Sequence, residues 1–116
     1  MKLFSIVASL IVLLFPPLTW GQTHVSSCQK RDAVERARCE RHEKMFEKCG
    51  GIKGAAHHQC DRDFLLANPL DCATLTDKAV TSCTAEISAF KACETNTGVA
   101  FMQCVKKQTG ESPMGH

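Results

Sequence analysis

The chain lacks most of the residue patterns that support catalysis or metal binding. It has no tyrosine, and its one tryptophan, Trp20, lies close to the N-terminus. It contains no G-x-S-x-G motif, no pair of cysteines separated by two residues and no N-x-S/T sequence. These absences exclude a hydrolase nucleophile elbow, the usual structural zinc site and an N-linked glycan. We therefore predict that the protein is not an enzyme and holds no cofactor and no metal.

The N-terminus has the pattern of a secretory signal peptide. A lysine is followed by an apolar run over residues 3–15, by two prolines and by a small residue at position 21. The run is too short to span a bilayer, and its flanks fit a cleaved leader. We predict a signal peptide over 1–21, one domain over 22–108 and a flexible tail over 109–116. The mature protein is expected to be secreted and extracellular.

Eight cysteines are spaced regularly through the rest of the chain. Their intervals are 11, 10, 11, 12, 11, 10 and 11 residues. Two blocks, 28–60 and 72–104, align without a gap, each with the pattern C-x10-C-x9-C-x10-C, and the alignment places Phe46 onto Phe90. An even number of cysteines in a short exported chain indicates four disulfides. We predict that all eight are bonded: Cys28, Cys39, Cys49, Cys60, Cys72, Cys83, Cys93 and Cys104.

Each block has the pattern of a long helix, a tight turn and a short helix. Residues 26–48 contain no glycine or proline and are rich in strong helix formers. Gly50 and Gly51 end the first long helix, and Asn68 before Pro69 ends the first short one. The sequence therefore predicts an all-α fold, with two duplicated, disulfide-stapled helical hairpins packed as a small bundle. The four predicted helices cover 28–49, 55–66, 74–94 and 98–108.

The disulfide pairing is limited if each long helix is continuous. Cysteines 10 or 11 residues apart on one helix are about 15 Å apart, whereas a disulfide needs Cα atoms within about 7 Å. Pairing among the first three cysteines of either block is therefore excluded, and antiparallel packing favours Cys28–Cys93 and Cys49–Cys72. The others can pair in two ways: Cys39–Cys60 with Cys83–Cys104, or Cys39–Cys83 with Cys60–Cys104. We prefer the first arrangement because it staples each hairpin.

Three histidines are the best candidates for metal ligands. Imidazole is the commonest side chain in transition-metal sites, and His57 or His58 could face His42 across the first hairpin. Adjacent histidines on a helix point about 100° apart, so only one of the two could take part. The order over 57–61 also differs from the CC-x-x-H-D motif of secreted phospholipases A2. We interpret the three as surface histidines.

The first long helix is densely charged, and its charges alternate in sign. This pattern is typical of a solvated helix face with i, i+4 pairs. The formal charge of the whole chain is only +2, so a nucleic-acid partner is not expected. We predict an extracellular ligand of the signalling, defence or venom kind, which binds an unknown protein or receptor through basic residues of this face: Arg36, Arg38, Arg41, Lys44 and Lys48.

The second block is more apolar than the first, which suggests an alternative function. Most of its apolar side chains are expected in the core. If some line a cavity instead, a small hydrophobic molecule or lipid could lie between the hairpins. The alternative is therefore an extracellular carrier, and the sequence leaves the oligomeric state open.

Overall fold

The computed structural model describes residues 27–30 and 32–114. The predicted signal peptide lies outside the described residues. The described chain contains four helices, and a short 3-10 helix precedes each of the two long ones. The prediction of an all-α bundle of two disulfide-stapled hairpins is confirmed. The helices are α1 (Ala33–Cys49), α2 (Ala55–Ala67), α3 (Lys78–Cys93) and α4 (Gly98–Thr109), and the 3-10 segments are Ser27–Lys30 and Cys72–Thr74.

Both long helices begin later than the sequence predicts. Asp32 caps α1, because its side chain accepts a hydrogen bond of 2.9 Å from the backbone N–H of Glu35. Asp77 precedes α3 with a φ of 54° and a ψ of −131°, a backbone conformation that residues with a side chain rarely adopt. The chain therefore turns sharply just before each long helix.

These turns overturn the predicted disulfide pairing. Cys28 and Cys72 lie in the 3-10 segments, outside the helices, so the assumption of one continuous helix fails. The cysteines pair consecutively, first with second, third with fourth and so on, with Cα atoms 5.4 to 5.8 Å apart. The predicted Cys28–Cys93 and Cys49–Cys72 bridges are therefore wrong, as are both arrangements offered for the other four cysteines. The four bridges are Cys28–Cys39, Cys49–Cys60, Cys72–Cys83 and Cys93–Cys104.

The four bridges have two different roles. Cys49–Cys60 and Cys93–Cys104 each join the end of a long helix to the short helix that follows. Cys28–Cys39 and Cys72–Cys83 instead hold a 3-10 segment against the long helix that it precedes. Each bridge lies within one block. No disulfide among the described residues therefore joins the two blocks, and beyond the polypeptide connection they are held together by non-covalent packing.

The main core lies where α4 packs against α2 and α3. Its apolar members include Met45, Leu65, Phe101 and Val105, together with Phe90, whose ring centroid lies 5.4 Å from that of Phe101. Several bridge sulfurs complete it, because Cys49 and Cys93 are fully buried. Disulfides thus fill core positions in a chain with few large aliphatic side chains.

The two long helices bury different sides. The buried residues of α3 at 83, 86 and 90 align with 39, 42 and 46 of α1. However, α1 buries positions 34, 38, 41, 45 and 49 instead. Positions 45 and 49 are buried in both helices, because they align with the buried residues 89 and 93 of α3. Relative to α3, α1 is therefore turned about its axis, and it exposes part of the side that α3 buries, including Phe46.

The segment after α4 packs against the bundle, although the sequence predicts a frayed tail. Gly110 ends α4 with a φ of 77°, and its N–H donates to the carbonyl of Lys106 over 2.7 Å. Pro113 is fully buried, and Met114 packs on the main core. The described part of this segment is thus a component of the fold.

Candidate functional site

Arg38 is buried at the contact between α1 and α3. Only 1% of its surface is exposed, and its Nε donates to Oε2 of Glu86 over 2.7 Å. Its Nη1 donates to Glu111 at 2.7 Å and to Glu35 at 3.1 Å, and its Nη2 donates to the hydroxyl of Ser82 at 3.1 Å. This arginine therefore joins α1, α3 and the segment after α4.

Arg41 is buried one turn further along α1 and shares the carboxylate of Glu86. Its Nη2 lies 2.7 Å from Oε1 of Glu86 and donates to the carbonyl of Pro113 over 2.9 Å. Its guanidinium carbon lies 5.4 Å from the centre of the Phe90 ring, within the range of a cation–π contact. Glu86 and Phe90, one turn apart on α3, thus both contact the same arginine.

Burial lowers the pKa of both guanidinium groups, but the net pKa shifts of the two arginines have opposite signs. It lowers the pKa of Arg38, but the charges and hydrogen bonds of Glu86 and Glu111 outweigh it, so the pKa of Arg38 lies above its ordinary value. Burial also lowers the pKa of Arg41, and here the attraction of Glu86 compensates only in part. Neither arginine belongs to an exposed binding face, because both are ion-paired inside the protein.

The other three predicted binding residues, Arg36, Lys44 and Lys48, are exposed. On an ideal helix Lys44 and Lys48 point about 40° apart, whereas Arg36 points about 80° or more from either of them. The ammonium group of Lys48 lies 6.0 Å from the centre of the Phe64 ring. The structure thus does not bring the five predicted basic residues together on one face.

Phe46 is the most prominent exposed side chain of α1. It is 67% exposed, whereas Phe90, at the aligned position, is 4% exposed. His42, Glu43 and Glu47 lie beside it on the same surface. An aromatic ring is therefore presented to solvent next to two carboxylates.

The alignment of the two blocks hides this difference, because both phenylalanines fit a core position. Their neighbours give the signal that sequence reasoning missed. Around Phe46 the adjacent positions are charged, whereas most of the equivalent positions around Phe90 are small or apolar. The residues concerned are Glu43, Lys44, Glu47 and Lys48 in the first block, and Ile87, Ser88, Lys91 and Ala92 in the second.

The three candidate metal-binding histidines do not form a site within the described residues. Nδ1 of His57 lies 2.8 Å from the carbonyl oxygen of Cys49, and its Nε2 lies 3.2 Å from Asp61. Both ring nitrogens are therefore engaged. Within the described chain, three potential ligand atoms lie together in one group, on Cys28, Cys39 and Glu43. It cannot supply thiolates, because the two sulfurs are bonded to each other.

A cleft of about 780 Å³ separates the first turns of α2 and α4. Its lining includes Ala55, Ala56, Val99 and Ala100, and Oε1 of Gln59 accepts a hydrogen bond of 3.0 Å from the N–H of Gly98 at its base. The cleft is open to solvent. It therefore offers an apolar surface and does not enclose a ligand.

No protein-family model matches the chain, and neither a curated protein nor a solved structure shows detectable similarity to it. Among the described residues, no helix has both the length and the apolar character needed to cross a membrane.

Proposed function

We propose that the protein is secreted and acts as an extracellular ligand for another protein, which it binds through the outward side of α1. The exposure of Phe46 is the observation that carries this proposal. Burying a phenylalanine side chain contributes about 1.5 to 3 kcal/mol. A partner that covers Phe46 gains this free energy, which the isolated molecule leaves unused. Large aromatic side chains buried at the centre of an interface are common binding hot spots.

The support beneath Phe46 is rigid. Disulfides fix α1 at Cys39 and at Cys49, on either side of Phe46 in the sequence. The buried pair Arg38 and Arg41 fixes an adjoining side of the helix to Glu86. A preorganised surface loses little conformational entropy on binding. Four disulfides in about 80 residues are also typical of chains that fold in the oxidising secretory route, which supports secretion.

The proposed binding surface differs from the one predicted from the sequence. The centre of the surface is Phe46 with its acidic neighbours, and Arg38 and Arg41 are no longer part of it. Arg36 lies toward one edge, and Lys44 and Lys48 lie on the far flank of the helix. Charges at the rim of an interface mainly change association rate and salt dependence. We therefore assign these three residues a minor share of the affinity.

An array of purified receptor ectodomains and secreted proteins tests this proposal, probed with the labelled, fully oxidised mature protein. For each protein that binds, Phe46→Ser should weaken the affinity at least tenfold, as expected for a hot spot. Ile87→Ser is the matched control, because Ile87 is also partly exposed but lies on α3. Binding that is insensitive to Phe46→Ser, or equally sensitive to both substitutions, would refute the assignment.

The carrier function is the second candidate, and the apolar cleft between α2 and α4 supports it. Its volume of about 780 Å³ is in the range of small-molecule sites, and because it is open, a bound molecule would keep one side exposed to solvent. Native mass spectrometry of the secreted protein should then show a retained lipid or small apolar molecule. The substitution Val99→Asp, at the exposed wall of the cleft, should release it. A mass equal to that of the oxidised polypeptide alone would count against a carrier.

A further inference from the structure

The second block contains an internal example of arginine recognition. Glu86 and Phe90 are four residues apart on α3 and therefore share one face of the helix. Glu86 lies 2.7 Å from Nη2 of Arg41, and the Phe90 ring lies 5.4 Å from the carbon of the same guanidinium. A carboxylate and an aromatic ring one turn apart thus hold one arginine that is supplied by another helix.

The exposed side of α1 offers the same two groups. Glu43 and Phe46 are three residues apart, so they are also neighbours on one face of a helix. Oε1 of Glu43 also lies 3.4 Å from Sγ of Cys28, so an added guanidinium would share this carboxylate with the contacts that Glu43 already makes. Glu47 supplies a second carboxylate beside the ring. His42 stands at the position that aligns with Glu86, so the acidic group is shifted by one residue along the helix. Both Phe46 and Glu47 are exposed to solvent, whereas Glu86 and Phe90 are buried.

We propose that this side of α1 binds an arginine-bearing segment of the partner protein. A partner guanidinium would stack on the Phe46 ring and pair with the carboxylates of Glu43 and Glu47, as Arg41 does with Phe90 and Glu86. This inference rests on the proposed function and names the partner's chemistry. Arginine fits better than lysine, because its planar group can stack on a ring while it donates to a carboxylate.

The charges on α1 favour this occupant over others. Glu43 and Glu47 lie beside Phe46. On an ideal helix Arg36 and Glu40 point about 80° and 120° from Phe46 on the same side, so three carboxylates face one guanidinium there. Lys44 and Lys48 point about 160° away from Phe46 on an ideal helix. A second copy of the chain would bring like charges together, and an anionic membrane surface would repel the same carboxylates. A basic protein segment is therefore the complementary partner.

Synthetic helical peptides provide the test. Three alanine-based peptides of equal length would carry arginine, lysine or glutamine at the same two positions, four residues apart. Each would be titrated into the isotope-labelled, oxidised mature protein and followed by NMR. The arginine peptide should shift the resonances of Phe46, Glu43 and Glu47 and bind about tenfold more tightly than the glutamine peptide, the combined effect of one cation–π contact and one ion pair. The lysine peptide should be intermediate.

Variants distinguish this recognition from nonspecific binding of the peptides. Phe46→Ser and, independently, the double substitution Glu43→Gln with Glu47→Gln should each remove the preference for arginine over glutamine. The second variant keeps the ring, so it tests the proposal even if Phe46→Ser disturbs the helix. Ile87→Ser should leave the preference unchanged.

Several results would overturn the proposal. These are equal affinity for the three peptides, shifts confined to the flank with Lys44 and Lys48, self-association in sedimentation that Phe46→Ser abolishes, and preferential binding to anionic vesicles. If array proteins bind through Phe46 but the peptides show no arginine preference, this inference fails and the proposed function stands. If the peptides behave as expected but no array protein depends on Phe46, the proposed function fails instead.

Discussion

Phe46 and Phe90 occupy aligned positions of the two blocks but have opposite environments. Phe90 packs on Phe101 and carries the guanidinium of Arg41. Phe46 projects from a helix that has turned it away from the core. The same substitution at the two positions is therefore a direct test of how α1 is oriented.

We predict that Phe90→Ala lowers the free energy of unfolding by about 3 to 5 kcal/mol, because it leaves a cavity and removes the ring beneath Arg41. Phe46→Ala should change it by less than about 0.5 kcal/mol, as is usual for exposed side chains. Urea unfolding followed by circular dichroism, with the disulfides intact, gives both values. Similar losses at the two positions would mean that α1 does not have the orientation described above.

Glu86 is the buried carboxylate that Arg38 and Arg41 share. It lies within 2.7 Å of both Arg38 and Arg41 and is 2% exposed. We predict that Glu86→Gln lowers the free energy of unfolding by about 3 kcal/mol, because two buried guanidinium groups lose their shared carboxylate. Denaturant titration measures this loss, and Glu40→Gln, at an exposed position of α1, serves as the control. A loss no larger than that of the control would show that the network is solvated.

At the scale of elements, the 3-10 segments decide the covalent structure. Because Cys28 precedes the cap of α1, the chain folds back and reaches Cys39, which lies on the second turn of that helix. A trypsin digest of the unfolded but unreduced protein tests this pairing. We predict a disulfide-linked product that joins a fragment ending at Lys30 to the fragment Cys39–Arg41. A link between the Cys28 fragment and one containing Cys93 would contradict it.

At the scale of the whole molecule, the segment after α4 closes the contact between the two blocks. Glu111 and Pro113 both bind arginines of α1, and Pro113 is fully buried. Ending the chain after Thr109 should lower the free energy of unfolding by about 2 to 4 kcal/mol, because a charged hydrogen bond and buried apolar surface are lost together. Thermal and urea unfolding measure the change. Ending the chain after Met114 keeps these contacts and should have little effect, and equal stability of the two shortened chains would refute this role.

The sequence by itself determined the four helices, the use of all eight cysteines in disulfides and the stapled-hairpin architecture. These features follow from local helix propensity, glycine and proline positions, and cysteine spacing, all of which act over short stretches of chain. The tertiary structure decided the pairing of the cysteines, the burial of Arg38 and Arg41 and the exposure of Phe46. The partner of Arg38 on α3 is 48 residues away in the sequence. A buried charge is stable only where such a distant partner meets it, and that meeting sets which side of α1 faces the core.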